Sequence, residues 1–424
     1  MAATTSSPNH FTFGVEIELL VNPKAALGPS LKTYNFNPAV RPRSVKEWTA
    51  LQKDAAAHSK AKAPDAQNRD AVRRALADAL NKAGVEATAT ETSEYSVWTV
   101  KKEGSLDEVP TKDGGYWAIE LVSPVLHTRP GGNPNNPKDD GMDWYRDITK
   151  IFKTLGDSCD IQLTRGCSMH VHVAPDVEGQ WKPDTLRGLM KGIAVFDDAI
   201  TKIMPADRKV NPWCRSNFHD IPGSTRPDDK ATPMIKTPYD AVTTKGWKPL
   251  FDVFDKGVKI NRTTAVNVMG QNRTVSMNFA PLAASCGTVE FRRPPGVKTA
   301  ADAHKWTAFT LAFVSACLEP NWHTAWAATN KHATVAHLQQ FVQRGVARLG
   351  WKAGVLDVPR AIVEDKSPAT PPSAFDLELI KRKIAKANSE SEFVKKIVRS
   401  RQNTPVSSAN NSPAGSPALR PKKK

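Results

Sequence analysis

Four short segments of this sequence alternate charge with apolar bulk, and this alternation limits the folds open to the chain. Val15-Glu16-Ile17-Glu18-Leu19, Ala118-Ile119-Glu120-Leu121-Val122, Met169-His170-Val171-His172-Val173 and Val289-Glu290-Phe291-Arg292 share one pattern. Successive side chains of a β-strand point to opposite faces, so each segment reads as a strand with an apolar face and a charged face. Glu16 and Glu18 then stand about 6.6 Å apart along one side of the first strand. For one strand alone, a solvated carboxylate face explains the pattern. Four such strands in one sheet crowd the acids together, which is unfavourable unless a cation neutralises them.

A metal-lined sheet face is therefore the leading expectation. Four carboxylates (Glu16, Glu18, Glu120, Glu290) with one or two imidazoles and no thiolate form an oxygen-rich set, which suits Mg²⁺ or Mn²⁺ better than zinc. Magnesium keeps several waters and binds substrate phosphates, so the pattern points to a nucleotide. Arg292 and Arg273 would supply fixed positive charge to a transferring phosphoryl group. The sequence contains neither GxxxxGK[ST] nor GxGxxG. ATP would have to be held on the sheet itself.

Around these segments the periodicity predicts helices over about 67–83, 143–155, 185–204, 300–318, 333–348 and 375–399, with further strands near 96–101 and 273–279. About eight residues (280–287) join the last two strands, which suits an antiparallel pair rather than a crossover. The fold class expected is α+β, a mainly antiparallel curved sheet with helices on one face. Residues 11–360 form the expected catalytic domain, interrupted by a Pro- and Lys-rich insertion over 22–65. The Pro-rich excursion 205–238 is long enough to be a lid. Residues 1–10 and 403–424 are expected to be disordered, and 361–402 to be a basic helical segment.

Charge and cysteine usage narrow the partners. The formal charge is +16, but from Lys381 onward twelve basic residues face only Glu390 and Glu392, so the excess belongs mainly to the C-terminal end. A solvated tail accounts for such a run better than a nucleic-acid reader. Five cysteines without CxxC spacing argue against a disulfide framework and a structural zinc site. Cys167, Cys214 and Cys286 read as small, semi-buried residues. The most apolar window, Ala308–Leu318, is too short to span a bilayer, and the N-terminus carries no signal-peptide pattern. An intracellular, cytoplasmic protein is expected.

The pieces FGVEIE, WAIELVSPVL, GCSMHVHV, MPADRKVNPWC, NRTVSMNF and CGTVEFRRPPG resemble, in order, the motifs of the amidoligases. These are carboxylate-amine ligases related to glutamine synthetase and glutamate-cysteine ligase. The resemblance implies a glutamine-synthetase-like sheet that binds ATP and Mg²⁺. A carboxylate substrate is phosphorylated there to an acyl phosphate and then attacked by an amine. It further implies Glu16, Glu18, Glu120, His170 and Glu290 as metal ligands, His172 near the nucleotide phosphates, and Arg292 and Arg273 on the γ-phosphate or the substrate carboxylate. Arg208 and Trp213 become candidate substrate contacts. A catalytically degenerate ligase fold and a basic nucleic-acid-associated protein are the competing classes.

Overall fold

The computed structural model describes residues 10–28, 64–90, 94–106, 116–130, 138–175, 181–218, 246–256, 261–269, 274–351, 358, 362–374 and 376–377. Among them the elements run β1 (Phe11–Pro23), α1 (Pro64–Lys82), β2 (Ala87–Thr88), β3 (Trp98–Lys102), β4 (Trp117–Val122), β5 (Leu126–His127), α2 (Asp143–Ser158), β6 (Cys159–Gln162) and β7 (Met169–Pro175). Then follow α3 (Pro183–Lys202), α4 (Ala206–Lys209), α5 (Lys248–Lys256), α6 (Arg262–Met269), β8 (Met277–Asn278), β9 (Val289–Phe291), α7 (Ala300–Cys317), α8 (Thr324–Ala327) and α9 (Val335–Arg348). The chain is thus a mixed α/β protein built on a large, mostly antiparallel, open sheet.

The sheet order is β2-β3-β4-β1-β7-β9-β8, and only the short β2–β3 pair is parallel. Strand β1 organises it. Its 13 residues pair along one edge with β4 and β5 and along the other with β7 and β6. On the first edge the partner breaks at Ser123-Pro124, where the Ser123 hydroxyl accepts from the Val15 amide and donates to the Pro124 carbonyl. That side chain satisfies an amide which a continuous strand would have bonded.

Alternation along β1 decides which face is covered. Phe11, Phe13, Val15, Ile17, Leu19 and Val21 are all at most 2% exposed. Burying such side chains is worth about 1.5–3 kcal/mol each. The helices supply the cover: Trp144 of α2 meets Phe13 edge-on at 5.8 Å, and Phe309 of α7 lies 5.8 Å from Phe291 of β9. Behind α7, Phe313 packs against Phe196 of α3 and Phe341 of α9. Helices α7 and α9 approach so closely that a Cβ at Gly345 would collide with the Ala312 carbonyl oxygen. On the opposite face of the sheet the described residues include a small apolar cluster of Leu20, Leu106, Ala118 and Cys167.

Several expectations are modified. The strand expected over 273–279 joins the sheet at Met277 and Asn278, antiparallel to β9, and Val275 makes a single bridge; Arg273 lies outside the described residues. Helices α5 and α6 fall in a stretch to which the sequence reading assigned no element. Of the excursion 205–238, the described residues up to 218 are tied to the body. Arg215 bridges Val275, and Asn217 exchanges hydrogen bonds with the backbone of Met277. Residues 219–238, the tail 403–424, residues 1–9, most of the insertion 22–65 and nearly all of the helix expected over 375–399 lie outside the described residues. Cys286 is exposed rather than semi-buried, while the other four cysteines are buried. Among the described residues no helix is long and apolar enough to cross a membrane.

Candidate active site

Register brings the charged positions together. Glu18 stands directly opposite Glu120 across β1 and β4, Glu16 opposite His170 across β1 and β7, and His172 opposite Glu290 across β7 and β9. Like charges facing each other across a pair are destabilising unless compensated. Two compact groups result. Glu16, His172 and Glu290 can bring one donor atom each within 4.8 Å of one another, and so can Glu18, Glu103 and Glu120. Glu103 escaped the sequence reading. Its signal was present, since Thr99, Lys101 and Glu103 continue the period-2 face of β3 one step past its end.

Hydrogen bonds fix these groups. His170 Nδ1 lies 2.9 Å from Glu16 Oε2, and its Nε2 lies 2.8 Å from the Ser168 hydroxyl. That hydroxyl and the Ser168 amide both donate to Glu18 Oε2, at 2.6 and 2.8 Å. Asn278 Nδ2 donates to Glu290 Oε2 at 2.7 Å. His172 presents Nε2 to Glu16 Oε1 at 3.4 Å and Glu290 Oε1 at 3.7 Å, while its Nδ1 sits 3.0 Å from the Thr288 hydroxyl. The Nε2 edge of His172 thus faces the two carboxylates, whose charge favours a proton there. Both imidazoles face carboxylates: His170 Nδ1 lies 2.9 Å from Glu16 and 3.5 Å from Glu290, and its Nε2 is also bonded to Ser168.

The electrostatics record how crowded this face is. Burial pushes the Glu16 carboxyl up, but hydrogen bonds and charge from His170 and His172 outweigh it and hold the group well below the usual range. Burial raises Glu18, with the Glu103 charge adding to it. Glu120 is pushed up to about 9, first by burial and then by the charges of Glu16, Glu103 and Glu18. Burial works against a proton on His172, yet Glu16 and Glu290 draw its pKa above the ordinary value. Without an added cation, protons take up the charge.

Two cavities meet at Glu16. One, about 380 Å³, is lined by Glu18, Glu103 and Glu120 and, from the other group, by Glu16, together with Arg165, Arg292 and Trp213. The other, about 330 Å³, is largely apolar: Phe13, Gly14, Tyr95, Val122 and Val125 line it, together with His172 and Glu16. Tyr95 and Val125 are 44% and 51% exposed, and exposed apolar pairs on a cavity rim mark ligand surfaces.

Of the remaining expected residues, Arg292 pairs with Glu290 and faces the first cavity. Trp213 lines the same cavity. Arg208 does not meet expectation. It is 2% exposed, and its Nε and Nη2 donate to the carbonyls of Arg293 and Arg292 at 3.1 and 2.7 Å. Its guanidinium anchors the end of β9 instead of reaching substrate. Arg293 points away from the face into the core, where Nη2 donates to Thr201 Oγ1 at 2.8 Å and Nη1 lies 3.9 Å from Asp197. In sequence, nothing marks Ser168 as the residue that bonds Glu18 and His170, or Arg208 as one that bonds two backbone carbonyls.

Comparison with protein families returns a match to the family described as "Putative amidoligase enzyme", over residues 9–314. The chain belongs to the amidoligase family. The matched span begins two residues before β1 and ends within α7, so it takes in every strand and both carboxylate groups. Family membership makes a ligase-type enzyme the coarse functional class. A search of curated proteins finds no significant match.

Proposed function

We propose that this amidoligase is an ATP-dependent carboxylate-amine ligase with a glutamine-synthetase-like sheet, working through an acyl phosphate. The observation that carries the reading is the pair of adjoining carboxylate groups on the open face, with Arg292 beside them. The donor set fits divalent cations. It is oxygen-rich, it contains no thiolate, and its pKa shifts show an arrangement that otherwise takes up protons. Glu16, His172 and Glu290 would hold one Mg²⁺ or Mn²⁺, and Glu18, Glu103 and Glu120 another. When bound, the metals neutralise phosphate charge and polarise the transferring group.

Charge then orients the substrates. The apolar cavity has no lysine or arginine among its lining residues, so it suits the nucleoside, with Tyr95 available to stack on the base. The first cavity offers Arg292 and suits the anionic acid. An oxygen of the acid attacks the γ-phosphorus, giving an acyl phosphate and ADP. The amine nitrogen then attacks the acyl carbon, phosphate leaves, and the nitrogen's proton goes to the departing phosphate. Arg292, clamped by Glu290, holds fixed positive charge where equatorial oxygens gather charge in the transition state. Arg208 and the Asn278–Glu290 bond keep that pair aimed.

The test is ADP release across a panel of free and peptide carboxylates with Mg²⁺, with hydroxylamine present to capture an acyl phosphate as a hydroxamate. Acid-dependent ADP and hydroxamate in the native chain, both lost in Glu290→Gln, are the expected result. No acid-dependent ADP, together with no Mn²⁺ binding, would overturn the reading.

A further inference from the structure

The family match ends at residue 314, yet the first cavity is completed by chain well beyond it. Pro372 and Asp376 form part of its wall. They belong to a strap, residues 362–374 and 376–377, which runs without regular strand structure along the body to helical residues at 374, 376 and 377. The strap is held largely by polar ties. The Asp365 amide donates to the Lys202 carbonyl at 2.9 Å, and the Thr370 amide to the Ala206 carbonyl at 2.9 Å. Lys209 Nζ donates to the carbonyls of Asp365 and Ser367, both at 2.6 Å. Arg165, itself lining the cavity, donates to the carbonyls of Pro371 (3.0 Å) and Thr370. Pro372 is buried.

The turn at the strap's end is capped reciprocally. Asp376 Oδ2 accepts from the Ser373 amide and hydroxyl at 2.9 and 2.8 Å, and the Asp376 amide donates to Ser373 Oγ at 3.1 Å. This locks the direction of the carboxylate. Among the described residues, the carboxylates lining this cavity are Glu16, Glu18, Glu103, Glu120 and Asp376. The first four belong to the two metal-competent groups. Asp376 belongs to neither, and the indole of Trp213 lines the same cavity. A fixed carboxylate and an aromatic face in one cavity are the elements that recognise an alkylammonium ion, through charge and cation–π attraction.

We propose that Asp376 docks the protonated amine substrate, making the strap of residues 362–377 the acceptor-specificity element for primary alkylamines; this rests on the ligase reading above. The ammonium is held beside the acid until it releases one proton to water; the free amine then attacks the acyl carbon, and its second proton leaves with the phosphate. Arg165 and Lys209 act as positioning residues, since they hold the strap's carbonyls and not the amine.

The experiment has two arms on the full chain saturated with Mg²⁺, so that the metal-competent carboxylates are occupied. In the first, n-butylamine is titrated calorimetrically into the native chain, Asp376→Asn and Asp376→Glu, with melting temperature as a check on folding. Asn retains an oxygen that can accept the Ser373 bonds, so the cap is retained while the charge is removed. The expected result is binding by the native chain, weakened at least tenfold in Asp376→Asn and largely restored in Asp376→Glu. Absence of binding by the native chain, or equal binding by Asp376→Asn, overturns the proposal. In the second arm, an acid that supports ADP release is paired with n-butylamine or with hydroxylamine, which is uncharged near neutral pH. Asp376→Asn should raise KM for n-butylamine at least tenfold more than for hydroxylamine. An equal loss for both would assign Asp376 a structural role and overturn the proposal. Butylamine binding that depends on Asp376, with no acid supporting ADP release, would overturn the ligase reading and leave the docking site standing.

Discussion

Glu120 gives the sharpest test of the metal reading. Its pKa of about 9 means that near pH 7 only about one molecule in a hundred carries the carboxylate that a cation would use. Binding a divalent ion at Glu18, Glu103 and Glu120 must therefore expel about one proton. Apparent affinity should rise about tenfold per pH unit up to about 9, so the penalty near pH 7 is about 2.7 kcal/mol. The sign for stability is opposite. A carboxyl whose pKa rises on folding contributes stability that is fully present below its ordinary value and is lost as pH climbs through about 9. The metal-free chain should accordingly lose stability between these limits, and saturating Mn²⁺ should cancel the loss. Calorimetric titration of Mn²⁺ in two buffers of different ionisation enthalpy counts the protons directly. Glu120→Gln should remove both the release and the pH slope. Metal binding in the native chain with no proton released and no slope would refute the reasoning, because the three carboxylates could not then be as crowded as they are here.

Further outcomes follow from individual side chains. Arg292→Lys keeps the charge but loses the planar fork, so turnover should fall about 10²-fold with melting temperature nearly unchanged. Arg293→Lys, in the core beside Asp197, should instead show its main effect in the melting temperature. Arg208→Met removes two charge-assisted bonds to the carbonyls of Arg292 and Arg293, each worth about 1.5–3 kcal/mol; both stability and kcat should drop in denaturation and turnover assays. Gly345→Ala drives a methyl group into the Ala312 carbonyl oxygen and should cost at least the upper end of about 1–3 kcal/mol, read as a fall in melting temperature of about 3 °C or more.

The face was legible in sequence because β-structure has an integral period. Glu16, Glu18, Glu120, His170, His172 and Glu290 announce themselves by sitting between apolar neighbours, and their strands pair as the alternation requires. Residues whose role lies in what they hold were invisible for a physical reason. Ser168 matters because its hydroxyl lies between Glu18 and His170, Arg208 because two carbonyls lie within its reach, and the strap because Arg165 and Lys209 seize its backbone. None of these depends on periodicity. Period 2 puts the rings of His170 and His172 on one face, and the hydroxyls of Ser168 and Thr288 that bond them carry no periodic signal.

The arrangement of β1 also bears on how such a chain can change. Its odd positions fill the interior and its even positions hold the chemistry, and the strand is paired on both edges along most of its length. One residue inserted near Gly14 would turn Glu16 and Glu18 inward and Val15 and Ile17 outward, losing core and site in a single step. Divergence within residues 11–23 is therefore confined to exchange of side chains at constant length. Innovation in length belongs to the joints between strands and to segments laid on afterwards, such as the strap that closes the cavity from outside the family's common span.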